Sequence, residues 1–152
     1  TSVFNLNVAV TVSIIEALQE FHIPNLSIKW PNDILAVHKK IGGILIESSI
    51  KSDGEIFSIV GIGLNVNQKA FIGLPKAGSL YTTTLKEFDK EKVLTVILEK
   101  IKQNIALLQT GNYSYFWMQY DKFLYKKGVP MPFQDVNGLR FMGIIQKNCH
   151  SR

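Results

Sequence analysis

The chain has 152 residues, room for one ordinary domain with a small appendage, and its 46% hydrophobic and 19% charged composition supplies a core and excludes intrinsic disorder. Residues 1–67 hold 4 Lys/Arg against 6 Asp/Glu and residues 68–152 hold 13 against 6, so the surplus behind the net charge of +5 is dispersed along the second half and no nucleic-acid footprint is expected. No apolar run approaches the roughly 20 residues of a membrane span, no secretory signal opens the chain, and Cys149 is the single cysteine, which excludes an internal disulfide; a cytoplasmic protein is expected.

Residues 6–21 carry Leu6, Val10, Ile14, Ala17, Leu18 and Phe21 near a 3.6-residue period, which predicts an amphipathic helix capped by Asn5 and ended before Pro24. Four runs rich in Ile, Leu and Val follow at 26–30, 34–37, 40–50 and 56–66. They are separated by Pro31-Asn32-Asp33, by His38-Lys39 and by the Asp-Gly turn in Ser52-Asp53-Gly54. Short β-prone runs joined by close turns predict a mixed, largely antiparallel sheet built from hairpins, and helices before and after it make the class α+β. The third and fourth runs are apolar at nearly every position and are expected to be buried on both faces.

Residues 68–88, with Gly73, Pro75, Gly78 and Thr82 to Thr84, read as a loop. Residues 89–108 return to helix with Leu94, Ile97, Leu98, Ile101, Ile105 and Leu108 on one stripe, ended by Gly111 and Asn112. Residues 113–125 read as a third helix closed by Gly128, its aromatics suited to core or interdomain packing. Beyond Pro130 and Pro132 the pattern is β-like, with Asn137-Gly138 as a hairpin turn before 139–145. Two strands alone are marginal in water, so this last unit is expected to be incomplete at Arg152.

Three clusters could carry chemistry. Lys29-Trp30-Pro31-Asn32-Asp33 places an Asn-Asp pair at the rim of a strand, although Pro-Asn-Asp is also ordinary turn composition. Lys40-Ile41-Gly42-Gly43-Ile44-Leu45-Ile46-Glu47 sets paired glycines inside an apolar strand, which calls for a bulge or a ligand close to the backbone. On a regular strand Lys40, Gly42 and Ile44 share a face, so a cationic head would stand over bare backbone, suited to a flat ligand with a carboxylate or phosphate. The alternative is a solvated strand-end lysine beside a bulge. In Gly61-Ile62-Gly63-Leu64-Asn65-Val66-Asn67 the glycines open room on one face that Asn65 continues, and an amide offers the donor and acceptor that an adenine edge requires. The pattern is neither a dinucleotide fingerprint nor a phosphate loop. His22, His38 and His150 are too scattered for a metal centre, and none is assigned.

In this order and spacing the three clusters resemble the catalytic core of bacterial biotin protein ligases. The resemblance implies a class II synthetase-like mixed sheet backed by helices, as a catalytic domain over 1–127, followed at 128–152 by the start of a small SH3-like β domain. It implies an ATP-dependent ligase that joins biotin and ATP into biotinyl-5'-AMP and then transfers biotin to a lysine of the biotin carrier domain of a carboxylase. By residue it implies Lys40 as catalytic, with Lys40, Gly42, Gly43, Ile44, Gly61, Ile62 and Gly63 against biotin. Lys29, Asn32, Asp33 and Asn65 would face ATP or the adenylate. Mg2+ would be held largely by phosphate oxygens. The family's Gly/Arg-rich nucleotide loop and a Ser/Thr biotin contact are expected to lie before Thr1, so that this piece alone would be weakly active or inactive. Two other readings stand beside this one: a lipoate ligase or octanoyl transferase sharing the fold, and a non-catalytic module that pairs exposed sheet edges with a copy of itself as a homodimer.

Overall fold

The computed structural model describes residues 2–146, so Cys149 and His150 lie outside the described residues, as does the end of the expected C-terminal unit. The first helix, α1 (Val3–Glu20), begins one turn earlier than its apolar period, because the Ser2 hydroxyl rather than Asn5 caps it by accepting from the Asn5 amide at 3.2 Å. Valine, isoleucine and threonine dominate its middle, and their intrinsic preference for helix is modest. Packing compensates: Val8 to Ile15 are all buried, so the helix is enclosed on every side rather than amphipathic. The Thr11 and Ser13 hydroxyls donate to the carbonyls of Asn7 and Ala9, which satisfies both polar groups inside the helix.

β1 (Leu26–Lys29), β2 (Asp33–Ala36), β3 (Lys39–Ile50) and β4 (Ile56–Leu64) form one antiparallel sheet in sequence order. The predicted Asp-Gly turn joins β3 to β4, with Gly54 at φ 85°. The turn between β2 and β3 is carried by Val37 and His38, both at positive φ (46° and 65°), the geometry of a two-residue hairpin. Neither residue type announces such a turn. The outer edge of β1 is covered by the segment at 123–125: the Ile28 amide donates to Phe123 O at 2.7 Å and the Tyr125 amide to Ile28 O at 2.8 Å. Among the described residues no strand covers the other side of β4.

β3 and β4 are not buried on both faces. Ile44, Ile46, Val60 and Ile62 turn toward α1, whereas Leu45 (64% exposed) and Ile59 (62% exposed) face outward with no helix over them. The helical layers lie on one side only. α1 is packed between the sheet and α3 (Lys90–Gln109), with α4 (Tyr113–Lys122) beside it. Within the expected loop at 68–88, α2 (Leu80–Thr84) forms a short helix behind a capping box of Ser79 and Thr82. The buried residues of α3 are Val93, Ile97, Asn104 and Leu108; of the expected stripe Ile97, Ile101, Ile105 and Leu108 pack on the core, whereas Leu94 and Leu98 face solvent. Asn104 is buried because α1 offers it partners: its amide donates to Ser13 Oγ (3.0 Å) and Glu16 Oε2 (2.8 Å), and the Tyr115 hydroxyl donates to Glu16 Oε1 (2.8 Å). α4 ends at Lys122, earlier than predicted, and buries Phe116 and Tyr120 as core. β5 (Pro130–Gln134) and β6 (Arg140–Ile144) pair antiparallel around the predicted Asn137-Gly138 turn.

Candidate functional site

Lys40 and Gly42 do not share a face. Leu35 pairs with Lys40 and the next residue back, Ile34, pairs with Gly42, so Ile41 is an extra residue and β3 bulges there. Residues directly opposite each other in an antiparallel sheet point to the same side. The pairs Asp33–Gly43–Gly63, Leu35–Lys40 and Leu45–Gly61 therefore define the outer face, and Ile34–Gly42–Leu64 and Ile44–Ile62 the core face. The bulge moves the Lys40 side chain over Gly43. A Cβ built on Gly43 would lie 3.4 Å from Lys40 Nζ and 3.3 Å from Asp33 Oδ1. Gly42 serves close strand packing instead, since its Cβ would meet the Gly63 carbonyl oxygen at 2.7 Å.

Lys40 Nζ lies 2.5 Å from Asp33 Oδ1, with the lysine side chain half exposed and the aspartate less so. Beside this pair lies an open hollow of about 520 Å³ lined by Asn32, Asp33, Lys40, Gly43, Ile44, Leu45, Gly61, Ile62 and Gly63. That volume is within the ordinary range for small-molecule sites. A second hollow of about 330 Å³ adjoins it, lined by Gly42, Asn65 and Ala77 together with Lys40, Gly43 and Gly63. Lys40 thus stands where the two meet. Lys29 shares the outer face by pairing with Asp33 but lines neither hollow.

Both asparagines hold the walls together. Asn32 Nδ2 donates to Ile44 O at 2.6 Å and the Ile44 amide donates to Asn32 O at 3.1 Å, clamping the Pro31-Asn32 loop to β3. Asn65 Nδ2 donates to Gly78 O at 2.9 Å. The segment before α2 lies along the start of β3: the Lys40 amide donates to Lys76 O and the Gly78 amide to Lys40 O, each at 2.8 Å. Each asparagine NH2 retains a second proton, and each side-chain oxygen remains an acceptor by type. The sequence reading missed this second wall at 76–78, which carries no motif of its own. It also missed Asn7 and Tyr120, which hold the Pro31 carbonyl from α1 and α4. A polar Asn7 inside an apolar helix was the one available signal for that pair.

Among the described residues no group of three His, Cys, Asp or Glu is placed to hold a metal ion. Asp33 is the carboxylate that lines the larger hollow. Among the described residues no helix is long and apolar enough to cross a membrane.

The profile of the Biotin/lipoate A/B protein ligase family matches residues 2–67. The chain is 41% identical over 64 residues to the bifunctional ligase/repressor BirA of Bacillus subtilis, covering 42% of this chain and 20% of that protein. It is 32% identical over 85 residues to the biotin--[acetyl-CoA-carboxylase] ligase of Mycobacterium tuberculosis, covering 56% and 30% respectively. The chain therefore spans less than a third of either relative. Among solved structures, the biotin protein ligase from Aquifex aeolicus in complex with biotin and ATP superposes with a TM-score of 0.78 at 29% identity, over 94% of this chain and 60% of that one. Residues 2–67, which carry the three clusters, thus resemble the Biotin/lipoate A/B protein ligase family, and the backbone follows a solved biotin protein ligase along nearly the whole chain.

Proposed function

We propose that this chain supplies part of the active site of an ATP-dependent biotin protein ligase, with biotin on the glycine-floored hollow and the nucleotide on the Asn32, Asp33 and Asn65 side. The observation that carries this reading is the position of Lys40, the one charged residue among the three (with Gly43 and Gly63) that line both hollows. The first half-reaction must bring two anions together. An oxygen of the biotin carboxylate forms a bond to the α-phosphorus of ATP as the bond to pyrophosphate breaks. An ammonium between the two neutralises their repulsion and stabilises charge on the equatorial oxygens. Asp33 holds that ammonium over Gly43 at 2.5 Å, which orients Lys40 before ligand arrives. Gly43, Gly61 and Gly63 present bare backbone to a flat ring system.

In the second half-reaction a neutral lysine amine of a carrier protein attacks the acyl carbon of biotinyl-5'-AMP. AMP leaves with the bonding pair, and the amide nitrogen loses its proton. Mg2+, where bound, would neutralise the polyphosphate, with Asp33 the carboxylate that lines the larger hollow. The names of the relatives and of the superposed structures favour biotin over lipoate.

Calorimetric titration with biotin and then with biotinyl-5'-AMP tests the proposal. Saturable binding of both, with the adenylate tighter, is expected. Lys40→Ala should weaken the adenylate by about 10²-fold to 10³-fold, the cost of one preorganised charge contact. A folded wild-type chain that binds neither ligand overturns the reading.

A further inference from the structure

The loop that presents Asn32 and Asp33 has an unusual anchor. The Pro31 carbonyl oxygen accepts from Asn7 Nδ2 on α1 at 2.9 Å and from the Tyr120 hydroxyl on α4 at 2.8 Å. Tyr120 is 1% exposed. Burial pushes its hydroxyl far above the usual phenol range, so it remains a donor at any ordinary pH. α4 is itself tied to the start of α1, because the Trp117 indole N–H donates to Asn5 Oδ1 at 3.0 Å and the Phe4 and Trp117 rings lie 5.2 Å apart. On the other side of Pro31, Asn32 is clamped to Ile44 and Asp33 meets Lys40. One backbone carbonyl therefore links the helical layer to the charged corner of the site.

We infer that Asn7 and Tyr120 are positioning residues for the nucleotide half of the site, setting where Asn32 and Asp33 stand by holding the Pro31 carbonyl between two helices. The inference rests on the ligase reading above and adds to it two residues that touch neither hollow. Asn32 and Asp33 also border the glycine-floored hollow, so any selectivity between the ligands rests on the floor itself being built elsewhere. The glycine floor hangs on the pairing of β3 with β4, where neither Asn7 nor Tyr120 takes part. Loss of the anchor should displace the Asn-Asp pair while leaving the floor in place.

The test is titration of the full chain and of its Tyr120→Phe and Asn7→Ala variants with biotin and with biotinyl-5'-AMP, alongside thermal melts. Tyr120→Phe keeps the ring and its packing and removes one donor, so folding should survive; Asn7→Ala removes the other donor from a different helix. Each variant should leave biotin affinity within twofold and lower adenylate affinity about fivefold, the equivalent of one ordinary hydrogen bond. The double variant should lose more than the product of the two, because either donor alone still holds the carbonyl. A lowered melting temperature with both ligands weakened equally, or with neither weakened, overturns the inference and leaves the ligase reading standing. A folded wild-type chain that binds neither ligand overturns both.

Discussion

Replacing Gly42 by alanine would place a Cβ 2.7 Å from the backbone oxygen of Gly63 and 3.2 Å from Leu64 Cδ1, on the core face between two paired strands. Backbone cannot rotate out of the way as a side chain can, so β3 and β4 must separate locally. Overpacking of this kind costs about 1–3 kcal/mol, offset by about 0.5–1 kcal/mol from removing glycine's conformational freedom in a strand. A net loss of about 1–2 kcal/mol lowers the melting temperature by about 2–8 °C in a chain of this size. The same methyl on Gly43 meets only the ends of Lys40 and Asp33, at 3.3–3.4 Å, and these can swing aside. Losing a partly exposed ion pair costs about 0–1 kcal/mol, so Gly43→Ala should melt close to wild type. Its Cβ nevertheless rises from the floor of the hollow, where one misplaced methyl is worth about 10-fold to 200-fold in affinity. Paired thermal melts and biotin titrations separate the two cases. If Gly43→Ala is destabilised as much as Gly42→Ala, or binds biotin as well as wild type, then the assignment of the two glycines to opposite faces is wrong.

Tyr115 donates to Glu16 and, through burial first and the carboxylate second, its phenol is pushed up to about 12 from 10. The folded state therefore keeps a proton that the unfolded state loses. Its contribution is complete below pH 10 and declines as pH rises toward 12. Urea midpoints measured across that window should fall with pH, and Tyr115→Phe should flatten part of the fall, with Tyr120 supplying a further part. A midpoint that rises over the same window would contradict the sign. On the outer sheet face, Ile59 is 62% exposed beside Glu47, so Ile59→Lys should shift stability by no more than about 0.5 kcal/mol. A large loss in chemical denaturation would mean that this face is covered, as a self-pairing module would require.

Much of the fold was legible because its signals are local. The four strand runs, the Ser52-Asp53-Gly54 and Asn137-Gly138 turns and the three long helices follow from apolar period and turn chemistry, and the structure places each within a few residues of its predicted span. The order of the three clusters likewise pointed to the family whose profile matches residues 2–67. Burial was less legible. An apolar residue on a strand reports a preference for leaving water, not whether another layer exists to receive it. Leu45 and Ile59 were therefore assigned to a second buried face that this chain leaves open.

By itself, then, the sequence determined the α+β class and the sheet's hairpins, and it offered a candidate site around Lys40, Asn32, Asp33, Asn65 and the paired glycines. Tertiary structure decided the rest. The bulge at Ile41 depends on the pairing of β2 with β3, and it alone settles that Gly43 rather than Gly42 lies beneath the lysine. The Val37-His38 turn is imposed by the strands it joins. Asn104 is buried because α1 brings Ser13 and Glu16 to meet it. The anchor at Pro31 unites residues 7, 31 and 120, which no local pattern could place together. Each of these is a matter of which groups meet across the chain, and a one-dimensional pattern records preferences for environments but not the partners that supply them.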